Sequence, residues 1–219
     1  ANIPLLLNRS RDIMEQDDIE VVLVDNGSTD HSPQILQDIL PQYPGCRCVR
    51  VEVNQGYGFG ILSGLRAARG DILGWTHADM QTDPQDALCG LKLFEKHGDN
   101  IFVKGCRYGR PFADVVFTVG MSVFETLLLT KPMWDINAQP TMFSRSFFDM
   151  WADPPYDFSL DLYTYYQAHI KGLKVRRFPV RFGERAHGVS HWNVDWATKK
   201  KFIRRTIDFS FQLKRNSAI

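Results

Sequence analysis

The sequence predicts an α/β protein: a doubly wound, mainly parallel sheet flanked by helices. Three observations carry this. Short β-branched runs alternate with helical stripes of about a dozen residues, the pattern of parallel strands joined by crossover helices. The runs at Ile19–Asp25 and Ile72–Thr76 each stop in a cluster of polar, turn-forming residues, where open α/β sheets hold their ligands. No repeat, low-complexity tract or linker interrupts residues 1–219, so they read as a single domain.

The elements follow in order. A first helix runs from about Pro4 to Met14, with Ile3, Leu6, Leu7 and Ile13 inward and Asn2 placed to cap it. Ile19–Asp25 is a strand, Asn26–Asp30 a turn, and Ser32-Pro33 opens a helix whose stripe is Ile35, Leu36, Ile39 and Leu40. Cys46–Val53 is a strand, and Gly58–Arg69 a helix with Ile61, Leu62, Leu65 and Ala68 inward. Gly70 precedes the buried strand Ile72–Thr76. Asp83-Pro84 then supplies the cap and first-turn proline of a helix carrying Ala87, Leu88, Leu91 and Phe94. Beyond Gly98 come a strand at Ile101–Arg107, a largely helical stretch at Pro111–Leu129 and a short strand at Thr141–Ser144. Ser159–Ile170 is a helix stopped by Gly172, Leu173–Phe182 a strand, and about Val194–Leu213 a long basic helix rich in aromatics.

Composition excludes several classes. With 44% hydrophobic and 23% charged residues the chain can build an ordinary globular core. A net charge of +1 is too low for a nucleic-acid binder that neutralises phosphates over a broad face. Cys46, Cys48, Cys89 and Cys106 form no Cys-x-x-Cys pair and read as the reduced thiols of a cytosolic protein. The apolar run Phe112–Leu129 contains Asp114 and Glu125 and reads as a core or interfacial helix rather than a membrane span. Gly56-Tyr57-Gly58-Phe59-Gly60 does not match Gly-x-Gly-x-x-Gly, and there is no Walker loop, His-Glu-x-x-His or Gly-x-Ser-x-Gly. Dehydrogenase, P-loop and serine-hydrolase chemistries therefore lack their motifs, as does a nucleotidyltransferase with a Gly-rich phosphate loop.

The stretch Gly70–Pro84 carries the chemistry. His77, Asp79 and Gln81 alternate after the strand, and if the strand continues through them all three side chains project to one side and converge on a divalent ion. A polar loop whose Asp caps the next helix explains the same residues. Asp25 and Asp30, around a Gly-Ser-Thr turn, are equally open between turn and ligand.

Taken together, Val24-Asp25-Asn26-Gly27-Ser28-Thr29-Asp30, Asn54-Gln55-Gly56, Gly70-Asp71 and His77-Ala78-Asp79-Met80-Gln81 resemble the family-2 inverting glycosyltransferases of GT-A fold. Glu184-Arg185-Ala186-His187-Gly188-Val189-Ser190 is similar to the Arg-x-x-Gly-x-Ser motif of the polyprenyl-phosphate and dolichyl-phosphate sugar synthases. The resemblance implies a nucleotide-diphosphate sugar donor and a lipid-linked acceptor, plausibly polyprenyl phosphate; a glycan or other hydroxyl acceptor, or a nucleotide-sugar-binding pseudoenzyme, is the alternative. It implies that Asp25, with Asn26, Ser28 and Gly56, binds the nucleotide, that His77, Asp79 and Gln81 hold Mn²⁺ or Mg²⁺ against the diphosphate, and that Arg185 and Ser190 close over it. Arg107 falls where the family places a cation near the acceptor, and Asp161 where it has a helical carboxylate, a candidate base for a hydroxyl acceptor. His187, His191 and Trp192 line the closing loop or are ordinary loop residues. The chain departs from the family in His77 and Asn26, each in place of an Asp, and in starting after the family's first strand, from which the resemblance implies the expectation of a longer protein.

The last helix is amphipathic. At 100° per residue Lys201, Arg204, Arg205 and Asp208 share one sector, opposite Trp196, Ile203, Ile207 and Phe211, with Phe202, Phe209 and Leu213 widening the apolar arc. Seven basic residues between Lys199 and Arg215 against the single acid Asp208 suit a peripheral helix on the cytoplasmic face of an anionic membrane. Docking of the same apolar arc on the domain's own core is the other reading.

Overall fold

The computed structural model describes residues 2–16, 18–184 and 196–216. Helices α1 (Asn2–Arg9) and α2 (Arg11–Met14) lead into strand β1 (Val21–Asn26), α3 (Ser32–Ile39), β2 (Cys46–Val51), α4 (Tyr57–Ala67) and β3 (Ile72–Trp75). There follow α5 (Asp86–His97), β4 (Ile101–Tyr108), α6 (Phe112–Leu129), β5 (Thr141–Ser144), α7 (Arg145–Phe148), α8 (Leu160–Ile170), β6 (Lys174–Arg181) and α9 (Trp196–Asn216). The first helix differs from expectation. It is two helices divided at Ser10, whose backbone sits at φ −88°, ψ 2°, and Asn2 is its first helical residue rather than its cap.

The strands form two pieces: β1 pairs with β2 in parallel, and a separate sheet has the order β3-β5-β4-β6. There β4 and β6 are parallel along their whole length, Ile101 opposite Lys174 to Tyr108 opposite Arg181, while β5 runs antiparallel to both its neighbours. Two of the four strand pairings are parallel, as the alternation predicts, and they are the two longer ones. The reversed β5 was not legible, because four residues carry no signal of direction. Helix α4 packs against β1, β2 and β3 and so bridges the two pieces. It approaches β1 closely through two glycines: a Cβ at Gly60 would lie 2.9 Å from the Asn26 side-chain amide and one at Gly64 2.8 Å from the Val24 side chain, while one at Gly58 would lie 2.5 Å from the Pro155 carbonyl oxygen in the segment before α8.

The core is built on both faces of β4. Phe102 joins Phe143, Phe147, Leu73 and the α8 residues Leu162, Tyr165 and Tyr166 on one face, and Ile101 and Val103 join Phe94 of α5 and Met142 on the other. This is the near-continuous apolar run of a strand covered on both sides. Phe102 stacks on Phe143 and Tyr165 with ring centroids 6.1 and 5.7 Å apart. Such a ring contributes roughly 1.5–3 kcal/mol through burial. A smaller cluster of Leu7, Tyr43 and Cys46 holds α1 to β2, and burial pushes the Cys46 thiol up to about 11, so it is an inert core group. All four cysteines are free.

One side of helix α9 follows the docking reading. It packs along α6, with Leu213 buried in the main core, Ser210 fully buried and Phe209 partly so, leaving Phe211 exposed. Leu213 and Phe209 of its apolar arc are used inside the domain.

Two glycine substitutions test this packing in opposite directions. A Cβ at Gly105 would lie 2.2 Å from the Gln139 carbonyl oxygen, whereas one at Gly120 in α6 meets nothing within 4 Å. Gly105→Ala is expected to lower unfolding free energy by roughly 1–3 kcal/mol, and Gly120→Ala to raise it by roughly 0.5–1 kcal/mol. Urea denaturation midpoints read both.

Candidate functional site

Strand β3 stops at Trp75, and the next seven residues make a turn rather than more strand. The hydroxyls of Thr76 and Thr82 lie 3.1 Å apart across its base, Asp79 Oδ1 accepts the Gln81 N–H at 3.1 Å, and Met80 sits in the left-handed region at φ 64°. The expectation of a continued strand is therefore corrected. A non-glycine residue in that region costs on the order of 1 kcal/mol and marks a turn held by its surroundings. The three side chains converge all the same: His77, Asp79 and Gln81 line one cavity of about 410 Å³. The turn is tied to the segment after β6, where the Gly183 N–H donates to the Gln81 carbonyl at 2.7 Å and Gln81 Nε2 donates to the Gly183 carbonyl at 3.3 Å.

Asp161 lies at the base of this cavity, in the first turn of α8 and only 2% exposed. Its Oδ2 accepts the Tyr57 hydroxyl at 3.0 Å and its Oδ1 accepts Gln139 Nε2 at 3.4 Å. Burial raises its pKa, against the opposing charges of Lys104 and His77. Burial, with Asp161 beside it, holds the Tyr57 phenol well above its usual range, so Tyr57 stays a donor. The Tyr57 ring also stacks on His77, centroids 5.6 Å apart, and on Phe158 at 4.5 Å, which orients the imidazole.

Beneath them Lys104 is fully buried in β4, with Nζ donating to Thr141 Oγ1 at 2.8 Å and lying over the rings of Phe102 and Tyr165. Burial lowers its pKa to about 7. The sequence signal for Lys104 is a lysine inside a mainly apolar strand, a feature outside the motifs.

Arg107, the predicted cation, is paired. Its Nε donates to Asp135 Oδ1 at 2.9 Å, its backbone N–H to Oδ2 at 3.1 Å, and Nη2 closes a further contact. Burial works to raise the Asp135 pKa, and the Arg107 hydrogen bonds and charge outweigh it to give a lowered value. Arg110, not singled out from the sequence, lines the same cavity. Its Nη1 donates to Thr118 Oγ1 at 2.7 Å and its guanidinium lies 5.4 Å from the Phe182 ring centre, while its Nε has no hydrogen-bond partner among the described residues.

Asp25, Asn26, Ser28 and Gly56 do not line this cavity; they join the β1 end to the loop before α4. Asp25 is buried, pairs with Arg50 and accepts the Ser28 N–H at 3.0 Å. Asn26 Nδ2 donates to the Gly56 carbonyl at 3.0 Å, and Gly56 takes φ 119° with Tyr156 against it. A chain of contacts thus runs from Asn26 through Gly56 to Tyr57 and Asp161. Arg185 and Ser190, with His187, His191 and Trp192, lie outside the described residues.

Among the described residues no three or more His, Cys, Asp and Glu side chains are grouped to hold a metal. His77 and Asp79 with the Gln81 amide oxygen make a partial donor set, which fits a divalent cation that takes its remaining ligands from water or a phosphate.

The wall opposite is α6, which contributes Asp114, Phe117, Thr118, Met121 and Ser122. It is fixed to α9 by Glu125, fully buried, whose Oε1 accepts the Ser210 hydroxyl at 2.6 Å while Oε2 has no partner among the described residues.

The family model described as glycosyl transferase family 2 matches residues 2–148. An undecaprenyl-phosphate 4-deoxy-4-formamido-L-arabinose transferase of Pseudomonas paraeruginosa is 37% identical over 90 residues, covering 39% of this chain and 26% of that protein. The same-named transferase of Photorhabdus laumondii is 33% identical over 134 residues, covering 59% and 40%. The aligned segments thus span well under half of these relatives. A mannosyltransferase from Pyrobaculum calidifontis, solved with GDP-Man and Mn²⁺, superposes with TM-score 0.61 at 22% identity over 86% of this chain and 55% of its own. Glucosyl-3-phosphoglycerate synthase from Mycobacterium tuberculosis, with Mn²⁺ and UDP-glucose, does so with TM-score 0.70 at 18% identity over 96% and 75%. The fold is that of the GT-A glycosyltransferases.

The Glu125 carboxyl gives a stability test. Burial raises its pKa from an ordinary 4.5 to about 7. Below the lower value both folded and unfolded chains hold the proton and nothing is lost; between the two only the unfolded chain ionises, so stability falls as pH rises, by roughly 3 kcal/mol at most. Glu125→Gln keeps the acceptor for Ser210 and removes the ionisation. Its unfolding free energy relative to the parent is expected to rise between pH 4.5 and 8, measured by urea titration at each pH.

Proposed function

The chain belongs to glycosyl transferase family 2, and from that premise we propose that it is an inverting glycosyltransferase that moves a sugar from a nucleotide-diphosphate donor to polyprenyl phosphate, at the cytoplasmic face of a membrane. The names of the Pseudomonas and Photorhabdus relatives support a lipid-phosphate acceptor, and the GDP-Man and UDP-glucose complexes support a nucleotide-sugar donor with Mn²⁺. The observation that carries the reading is one cavity with the His77, Asp79 and Gln81 turn on one wall and Arg107 and Arg110 among its other lining residues.

In the reaction an acceptor phosphate oxygen attacks the anomeric carbon, the bond from that carbon to the diphosphate oxygen breaks, and the electron pair leaves with the nucleoside diphosphate. His77, Asp79 and Gln81 would hold Mn²⁺ or Mg²⁺, which would supply electrostatic stabilisation of that departing charge. Asp79 is the anionic ligand; Tyr57 holds the His77 ring in place by stacking. Arg110 meets phosphate charge from the α6 side, with Arg107 set rigidly beside it by Asp135. Asp25 and Ser28 bind the nucleoside, Asn26 and Gly56 shape the loop that passes from it to Tyr57, and Arg185 and Ser190 close over the diphosphate.

Both Asp161 oxygens are engaged by Tyr57 and Gln139, so Asp161 acts as a positioning residue rather than as a base. That favours a phosphate acceptor, which is already a nucleophile, over a hydroxyl acceptor that needs deprotonation.

A nucleotide-sugar screen tests the proposal first. The cognate donor at a hundred times its dissociation constant is expected to add roughly 2.7 kcal/mol of stability, and to do so only with Mn²⁺ or Mg²⁺ present. Transfer to polyprenyl phosphate should follow; stabilisation without transfer to any acceptor would mean a binding protein instead.

Two variants sharpen the site. Asp79→Ala should cut turnover at least about a hundredfold, near 3 kcal/mol of transition-state stabilisation, with an unchanged melting temperature. For His77 the mixed donor set predicts a preference for Mn²⁺ over Mg²⁺, and His77→Asp is expected to move it toward Mg²⁺ in steady-state assays with each metal.

A further inference from the structure

Helix α6 is built inside out. At 100° per residue Phe112, Val116, Gly120, Val123 and Leu127 fall within an arc of about 80°, and this arc faces outward, with Phe112 82% and Leu127 74% exposed. The opposite side carries the polar groups that the protein uses, together with the core residue Leu129: Thr118 accepts from Arg110, Ser122 Oγ accepts the Asp135 N–H at 3.0 Å, and Glu125 accepts from Ser210. A soluble surface helix has the reverse pattern. The helix is 18 residues long with mean hydropathy 1.7, and only 17% of it is buried. That meets the length for a span, but both ends return to one sheet, through β4 before and β5 after, and Arg107 ahead of it binds Asp135 behind it.

We propose that the outer face of α6 lies in the interfacial layer of a lipid bilayer, parallel to its plane, so that the cavity on the inner face of the same helix opens among the headgroups. This rests on the proposed function for the reason a bilayer is the occupant: an acceptor phosphate carried by a lipid reaches Arg110 and Asp79 without leaving its membrane only if the helix walling the cavity sits at the surface. Charge agrees, since α9, packed along α6, exposes Lys200, Arg204, Lys214 and Arg215, which suit anionic headgroups.

The test uses Val116→Glu with Leu127→Glu, and the milder Val116→Ser with Leu127→Ser in case the charged pair fails to fold. Neither position lines the cavity. Vesicles of phosphatidylethanolamine and phosphatidylglycerol at physiological salt are the probe. The parent protein should float with them, and each folded variant should lose binding by roughly tenfold or more as apolar contact is removed. Mn²⁺-dependent stabilisation by the nucleotide sugar should be unchanged, transfer to a vesicle-embedded acceptor should fall, and transfer to a short, water-soluble polyprenyl phosphate should persist. The proposal is overturned if the parent does not float, if the variants float equally well, or if sedimentation shows a dimer that the variants dissociate, in which case a second copy covers the stripe. Loss of transfer to both acceptors by the parent, with flotation intact, overturns the assigned reaction and leaves the docking face standing.

Discussion

The structure depends on keeping charge in the dry interior beneath the cavity. Lys104, Arg107, Asp135 and Asp161 are all buried or nearly so, and an isolated charge there costs several kcal/mol unless it is paired or neutralised. The protein does both. Arg107 and Asp135 form a pair with three hydrogen bonds, while burial raises the Asp161 pKa and lowers that of Lys104 to about 7. Gln139 and Tyr57 then satisfy the Asp161 oxygens. The members come from four elements, Lys104 and Arg107 from β4, Asp135 and Gln139 from the segment before β5, Tyr57 from the start of α4 and Asp161 from α8, so the network sets how those elements meet. The cavity's shape follows from it.

The metal-competent turn is held in the same way. His77 gains its orientation from a ring whose hydroxyl is committed to Asp161, and Gln81 is tied to the end of β6 through both its backbone and its amide. A site preorganised by neighbours of this kind stabilises charge without reorganising when it forms. The Met80 backbone strain is consistent with that, since such a conformation persists only where surroundings over-determine it.

Most of the fold was legible in the sequence because alternation and capping are local signals. The strands at Val21–Asn26, Ile101–Tyr108 and Thr141–Ser144 and the helices around Leu62, Leu91 and Leu162 lie within a few residues of where periodicity put them. Non-local facts were not legible: the antiparallel sense of β5, the separation of β1-β2 from the larger sheet, and which side of α9 faces inward. For the site, motif residues His77, Asp79 and Gln81 were found and meet in space, although by a turn rather than a strand. Tyr57, Gln139, Asp135 and Arg110 were not, since each matters only through a partner between 8 and 104 positions away. Arg107 looked like an available cation from sequence alone because its neutralising partner lies 28 residues further on.

The glycines along α4 carry one last consequence. At Gly58 the helix meets the Pro155 carbonyl in the segment before α8 at backbone distance, and at Gly60 and Gly64 it admits the Asn26 and Val24 side chains of β1 just as closely. Surfaces packed this closely move past one another only if neighbouring side chains or backbone shift with them. A ligand settling against Asn26 and Gly56 therefore acts on a tightly packed contact that leads directly to Tyr57. The helix links the two ends of the site. Sequence drift at positions 58, 60 and 64 would loosen that linkage long before it dissolved the fold.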